Sequence, residues 1–153
     1  MISRRRFLQW LLSLGVVGAA ASAYAVAVEP LRRPRVTRYD VALRRWPDGL
    51  QLTVAVIADV HACKPWMDIG RLEAIVAQTN ELKPDVVVLL GDYVPGMHRF
   101  VTSAVQPSEW SRAFAGLKAP LGVHAVLGNH DWWEDLTAQE TRRGPIEARL
   151  ALE

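Results

Sequence analysis

Three short stretches carry residue types able to hold metal ions or move protons: Asp59-Val60-His61, Gly91-Asp92-Tyr93 and Leu127-Gly128-Asn129-His130-Asp131. Each follows an apolar run that reads as a strand, so each presents its polar side chains where a strand gives way to a loop. Asp59 and His61 are two apart and share a side in an extended strand end. A carboxylate oxygen and an imidazole nitrogen there can close on one divalent ion. Gly91 lets the backbone pass close to such an ion, and the two oxygens of Asp92 allow one side chain to bridge two metals. Asn129 offers an amide oxygen to a second ion, with Gly128 supporting the sharp turn that aims it inward. His130 is then left as a proton donor rather than a ligand, since imidazoles exchange protons near neutral pH. Taken singly, the aspartates read as caps and the histidines as surface or satisfied core residues. The ordered set, each member at a strand end, points to one divided site for metal ions and phosphate.

The elements that must position these residues are legible around them. Leu52–Ala58, Asp85–Leu90 and Gly122–Leu127 are continuous apolar runs, the pattern of strands covered on both faces. Ile69, Leu72, Ile75, Val76, Thr79 and Leu82 fall at three- and four-residue spacings and predict an amphipathic helix, with Asp68 as N-cap and Pro84 as its stop. Tyr93–Gln106 reads as a loop marked by Pro95 and Gly96. Pro107–Leu117, carrying Trp110, Ala113, Phe114 and Leu117, reads as a shorter helix ended near Pro120. The intervals of 33 residues from Asp59 to Asp92 and 37 from Asp92 to Asn129 each suit one crossover of roughly 30 residues or more. Parallel strands joined this way bring their carboxyl ends to one edge of the sheet, where open α/β sheets place their ligands. Upstream, Val36, Tyr39, Val41 and Leu43 alternate with polar residues and predict an edge strand. Pro47-Asp48-Gly49 is a turn signal joining it, as a hairpin, to the strand that follows. Beyond Trp133 the chain turns polar, and Pro145 opens a helix over Ile146–Leu152.

Composition sets the bounds. At 153 residues, half of them hydrophobic, the chain has the length of one domain. Its net charge of +2 belongs to the N-terminus: without Arg4, Arg5 and Arg6 the remainder holds 15 basic and 16 acidic residues. Nucleic-acid binding is therefore not expected. Cys63 is the sole cysteine, which excludes an intrachain disulfide and a Cys-rich zinc site; it reads as a small packing residue, with metal ligation as the alternative. Trp132 and Trp133 read as core aromatics or as the wall of an apolar substrate site. His98 and Arg99 read as solvated loop charge or as contacts to a phosphate or head group. Arg32, Arg33 and Arg35 form a charged linker or a basic patch near anionic lipid.

Ser3-Arg4-Arg5-Arg6-Phe7-Leu8-Gln9 resembles the twin-arginine export motif, with Gln9 where Lys is often found. From Phe7 to Val28 there is no charge, and Ala21-Ser22-Ala23 and Ala23-Tyr24-Ala25 fit small-x-small cleavage sites. The segment reads as a cleaved signal or, since 22 uncharged residues just span a bilayer, as a permanent anchor. Both readings place the remainder outside the cytoplasm, in the periplasm or on the extracytoplasmic face of the membrane.

The three site motifs resemble the calcineurin-like metallophosphoesterases, whose pattern is D-x-H, G-D, G-N-H-D/E and then two later histidine motifs. The resemblance runs from about Leu50 to Trp133. It implies the N-terminal half of a four-layer αββα sandwich, an α/β fold of mainly parallel strands with crossover helices. It also implies two divalent ions (Mn, Fe or Zn). Asp59, His61 and Asp92 would serve the first, Asp92 and Asn129 the second, and His130 would protonate the leaving group. A hydroxide bridging ions about 3.5–4 Å apart would attack phosphorus in line. Pro95 and Gly96 stand where the family's protein phosphatases place an Asp and an Arg, which argues against that activity. No histidine follows His130, so the family's later histidine ligands have no counterpart here.

The expected organisation is a signal or anchor segment over residues 1–28, a linker with an edge strand over 29–49, and a truncated phosphoesterase domain over 50–153. The expected function is metal-dependent phosphoester hydrolysis by the family, on a small-molecule or lipid-head-group substrate, with membrane association through residues 7–28. The alternative is a catalytically incompetent half-domain that binds metal or a partner, and little turnover is expected of the 153 residues alone.

Overall fold

A computed structural model of the chain describes residues 3–96 and 102–153; His98 and Arg99 lie outside the described residues. The chain divides into two units, Met1–Pro34 and Arg35–Glu153. In the first, the Ser3 hydroxyl accepts the Arg6 N–H at 3.4 Å and caps α1 (Arg4–Ala27), a 24-residue helix with no buried residue. A single turn of 3₁₀ helix, Glu29–Leu31, follows it. At 1.5 Å per residue, α1 is about 36 Å long, enough for a hydrocarbon core of about 30 Å. Arg4–Leu31 is long and apolar enough to cross a membrane.

The second unit is built on three parallel strands, β1 (Val54–Ile57), β3 (Val86–Leu89) and β5 (Val123–Ala125), with β3 in the centre. Helix α2 (Ile69–Glu81) connects β1 to β3, and α3 (Pro107–Phe114) connects β3 to β5. Asp68 caps α2 through Arg71 N–H at 2.9 Å, as the sequence predicts. Its apolar stripe places Leu72 and Val76 in the core with Val87, Leu89, Trp110 and Phe114. Asn80 locks α2 to the end of α3: its amide donates to Gly116 O at 2.9 Å and its oxygen accepts Lys118 N–H at 2.8 Å. Strand register sets Ala55 beside Val87 and Ile57 beside Leu89, so one pleat row faces the helices. The parallel sheet with its crossover helices is the expected half-fold.

Three expectations are corrected. Val36–Trp46 forms no strand and no hairpin with β1. Tyr39 and Val41 are 82% and 73% exposed, and alternation alone does not hold a strand that finds no surface to bury its apolar row. The parallel strands are not covered on both faces either. The alternate row of β1, Val54 and Val56, is 46% and 57% exposed, whereas Ala55 and Ile57 pack against the core with α2 and α3. The stretch read as a loop contains β4 (Ser103–Ala104), which pairs antiparallel with β2 (Cys63–Lys64). Three short helices close the chain: α4 (Asn129–Trp133), α5 (Leu136–Thr141) and α6 (Glu147–Leu152). The last is the helix expected after Pro145. Asp135 serves two of them, accepting Ala138 N–H at 2.9 Å and Glu147 N–H at 3.0 Å. Those bonds hold its carboxyl below the usual range.

Candidate metal centre

Beyond the strand ends the first two motifs stay paired. Asp59 N–H donates to Gly91 O at 3.2 Å, His61 N–H to Asp92 O at 2.8 Å and Ala62 N–H to Tyr93 O at 2.8 Å. This pairing is made in an unusual backbone. Asp59, His61 and Asp92 have φ of 52°, 45° and 56°, a left-handed conformation costing an L residue about 1–2 kcal/mol. Asp and His tolerate it better than most. Strain of this kind persists where surrounding bonds over-determine it, and it clusters at functional sites.

The third motif is sewn to the second by Asp131, 1% exposed. Its Oδ2 accepts Asp92 N–H at 2.9 Å and Gly128 N–H at 2.8 Å. Its Oδ1 accepts Tyr93 N–H at 2.8 Å and Val94 N–H at 3.2 Å. In return, His130 N–H donates to Asp92 Oδ1 at 2.8 Å. The two motifs touch so closely at Gly91 and Gly128 that a Cβ on either would overlap the opposite loop. The sequence reading left Asp131 without a role. The available signal was an acid three positions after the Gly128 N-cap, the place from which a side chain reaches back to the cap N–H.

These loops bring ligand atoms of His61, Asp92 and His130 within 4.8 Å of one another. His61 Nδ1 lies 3.0 Å from Val94 O; by donating there it leaves Nε2 free for a cation, the usual way a backbone carbonyl orients a histidine ligand. The His61 and His130 rings meet edge to face, 5.0 Å between centroids. Asp59 and Asn129 are exposed neighbours of His61 and His130 in the chain, and Asp59 is not in the close group. The buried Asp92 carboxylate beside the His61 imidazole, whose Nε2 is left free, is a donor set that fits a borderline divalent cation, with the His130 ring against it. Cys63 is buried and burial pushes its thiol up, which keeps it protonated and suits packing rather than ligation. Trp132 and Trp133 are not core: they are 45% and 59% exposed, and Trp133 stands edge-on to His130 at 5.4 Å.

Tyr93 ties the site to the helices. Its hydroxyl donates to Val126 O at 3.0 Å and its ring stacks on Trp110 at 5.0 Å. Burial, reinforced by the Asp131 charge, pushes its phenol up to about 12. In the unfolded chain it ionises near 10. Between those values the unfolded state loses the proton first, so stability is present in full below pH 10 and declines as pH rises toward 12. Urea midpoints at pH 9 and 11 should therefore fall further for the wild type than for Tyr93→Phe. Equal declines would show that the phenol does not couple to folding.

Comparison with known proteins matches residues 52–149 to the calcineurin-like phosphoesterase family. A transmembrane protein with metallophosphoesterase domain from Danio rerio is 30% identical over 128 residues, 83% of this chain and 27% of that protein. A metallophosphoesterase from Aquifex aeolicus is 31% identical over 102 residues, 67% of this chain and 36% of that protein. The UDP-2,3-diacylglucosamine pyrophosphatase LpxG of Chlamydia muridarum is 31% identical over 100 residues, 64% of this chain and 28% of that protein. Thus the chain spans well under half the length of each of these three relatives. No solved structure matches it significantly. The matched residues contain all three motifs and the sheet that carries them, and the chain belongs to the calcineurin-like phosphoesterase family.

Proposed function

We propose that the rim formed by the three motifs binds divalent cations for the hydrolysis of phosphoesters. The observation carrying this reading is the convergence of His61, Asp92 and His130 within 4.8 Å inside the residues that match the family. Asp59, His61 and Asp92 would hold one ion and Asp92 with Asn129 would hold a second, the identity being Mn, Fe or Zn. Bound ions supply Lewis acidity and an activated water at neutral pH. The chain's own residues do the rest. The Asp92 carboxylate is held in place by the His130 N–H, and its backbone by Asp131. His130 presents a proton to the departing oxygen, and the exposed Trp133 ring borders the same opening.

The substrate is a small phosphoester or a lipid head group. LpxG, whose name describes a pyrophosphatase acting on a diacylated sugar nucleotide, supports the second choice, as does the apolar α1. We place the protein outside the cytoplasm, exported by the N-terminal segment or held at the membrane through residues 7–28. A second reading is favoured by the ligand count. Asp59, His61, Asp92 and Asn129 leave two ions under-coordinated, so these 153 residues alone bind metal or a partner and hydrolyse esters near background. Calorimetric titration with Mn²⁺ and Zn²⁺ tests the site. Asp92→Ala should weaken binding at least about tenfold, and unchanged affinity would remove Asp92 as a ligand. Hydrolysis of p-nitrophenyl phosphate or its bis ester at ordinary enzymic rates by this chain would exclude the second reading.

A further inference from the structure

The His130 ring is confined on several sides. It meets His61 and Trp133 edge-on, and a Cβ at Gly96 would overlap its Cε1–Nδ1 edge. Nδ1 is buried and lacks a hydrogen-bond partner, yet Oε1 of Glu134, one helical turn on, is 3.5 Å away. Most i,i+4 charge pairs on helices are exposed and weak. This one is not open to water in the same way: the two side chains are 26% and 21% exposed, and the nitrogen concerned is buried. A buried imidazole nitrogen beside a carboxylate is satisfied by carrying a hydrogen and donating it. Hydrogen bonds of catalytic groups are often long in ligand-free sites and tighten when the site fills.

We propose that Glu134 is a positioning residue for His130: it accepts from Nδ1–H, fixing the ring and its tautomer so that Nε2 is the nitrogen that handles the substrate proton. The proposal rests on the reading of His130 as proton donor. During ester cleavage the proton on Nε2 passes to the departing oxygen as the P–O bond breaks, and Nδ1 keeps its hydrogen. The neutral ring left behind is the Nδ1–H tautomer from which Glu134 accepts, so the contact selects Nε2 as the nitrogen that gives up the proton.

The test needs no turnover. The metal-free 153-residue chain, ¹⁵N-labelled at histidine, is examined by long-range ¹H–¹⁵N correlation at pH 9, with His130 assigned by its loss in His130→Gln. The Nδ1–H form should predominate in the wild type. In Glu134→Leu the ratio should move at least about fivefold toward Nε2–H, the worth of one ordinary hydrogen bond. Glu134→Gln, whose amide oxygen still accepts, should restore Nδ1–H. The His61 ring, which Val94 O orients, should stay unchanged throughout. A wild-type ring in the Nε2–H form overturns the proposal without any variant. So does a folded Glu134→Leu protein with the wild-type ratio, or a Glu134→Gln ring that behaves like the leucine variant. An Nδ1–H ring in a protein that never cleaves an ester would leave the Glu134–His130 contact standing and remove the hydrolytic reading, and with it the role of that contact in proton transfer.

Discussion

Asp131→Ala is expected to lower folding stability by about 4 kcal/mol, a large share of what a domain of this size possesses. Four backbone N–H groups, those of Asp92, Tyr93, Val94 and Gly128, end on its two oxygens. A hydrogen bond to a charged acceptor contributes about 1.5–3 kcal/mol, and a buried donor left without a partner costs about as much. The four are not additive, because water can reach some of them once the side chain is gone, so the estimate lies well below their sum. Asp131→Asn keeps one acceptor oxygen, loses the charge and turns two donors toward N–H groups; it should fall between wild type and alanine. Loss of Asp131 also frees the second motif from the third. Metal affinity should therefore drop in Asp131→Ala even though this residue is in neither proposed ligand set. Urea unfolding followed by tryptophan fluorescence, with a metal titration on the same variant, checks both parts. A midpoint shift worth less than about 1 kcal/mol would mean that the loops hold together without this carboxylate.

Why the sequence showed the three motifs and hid this pin is a matter of range. The α2 stripe, the Asp68 cap and the Pro84 stop are signals within a dozen residues, and the helix at Ile69–Glu81 follows them closely. The strand–helix alternation, with its two long intervals, was enough to bring Asp59, Asp92 and Asn129 to one rim. Asp131 works instead across about 38 residues of chain, and a carboxylate aimed at backbone N–H groups has no partner residue type to read. The left-handed Asp59, His61 and Asp92 were equally hidden: pairing beyond the sheet imposes that backbone, while local preference only permits it. In two places the apolar pattern has no surface to bury it. Val36–Trp46 alternates as a strand does but has nothing to lie on, and the valine-rich β1 reads as buried although one face is bare. Trp132 and Trp133 follow the same logic in reverse, since a large aromatic ring suggests core and these stand open beside His130.

Gly91→Ala is expected to be nearly as damaging as loss of Asp131, by a different route. Gly91 has φ of +89°, where an alanine is strained by about 1–2 kcal/mol whatever its surroundings. Here the surroundings are worse than the strain. The new methyl would overlap the backbone of Leu127 and Gly128, atoms that cannot swing aside as a flexible side chain can. The second and third loops would have to part, stretching the His130 N–H bond to Asp92 Oδ1 and separating the ligand atoms of His61, Asp92 and His130. Together these effects should exceed about 3 kcal/mol in stability and weaken metal binding more than tenfold. Gly49 supplies the control: its φ of +78° is similar, yet nothing lies within 4 Å of the Cβ position. Gly49→Ala should therefore show the backbone strain alone, about 1 kcal/mol, with metal binding untouched. Matching losses at the two glycines would mean that contact between the loops adds nothing. A large gap between them, accompanied by loss of metal at Gly91 only, would tie the cation site to the approach of two backbones rather than to its side chains alone.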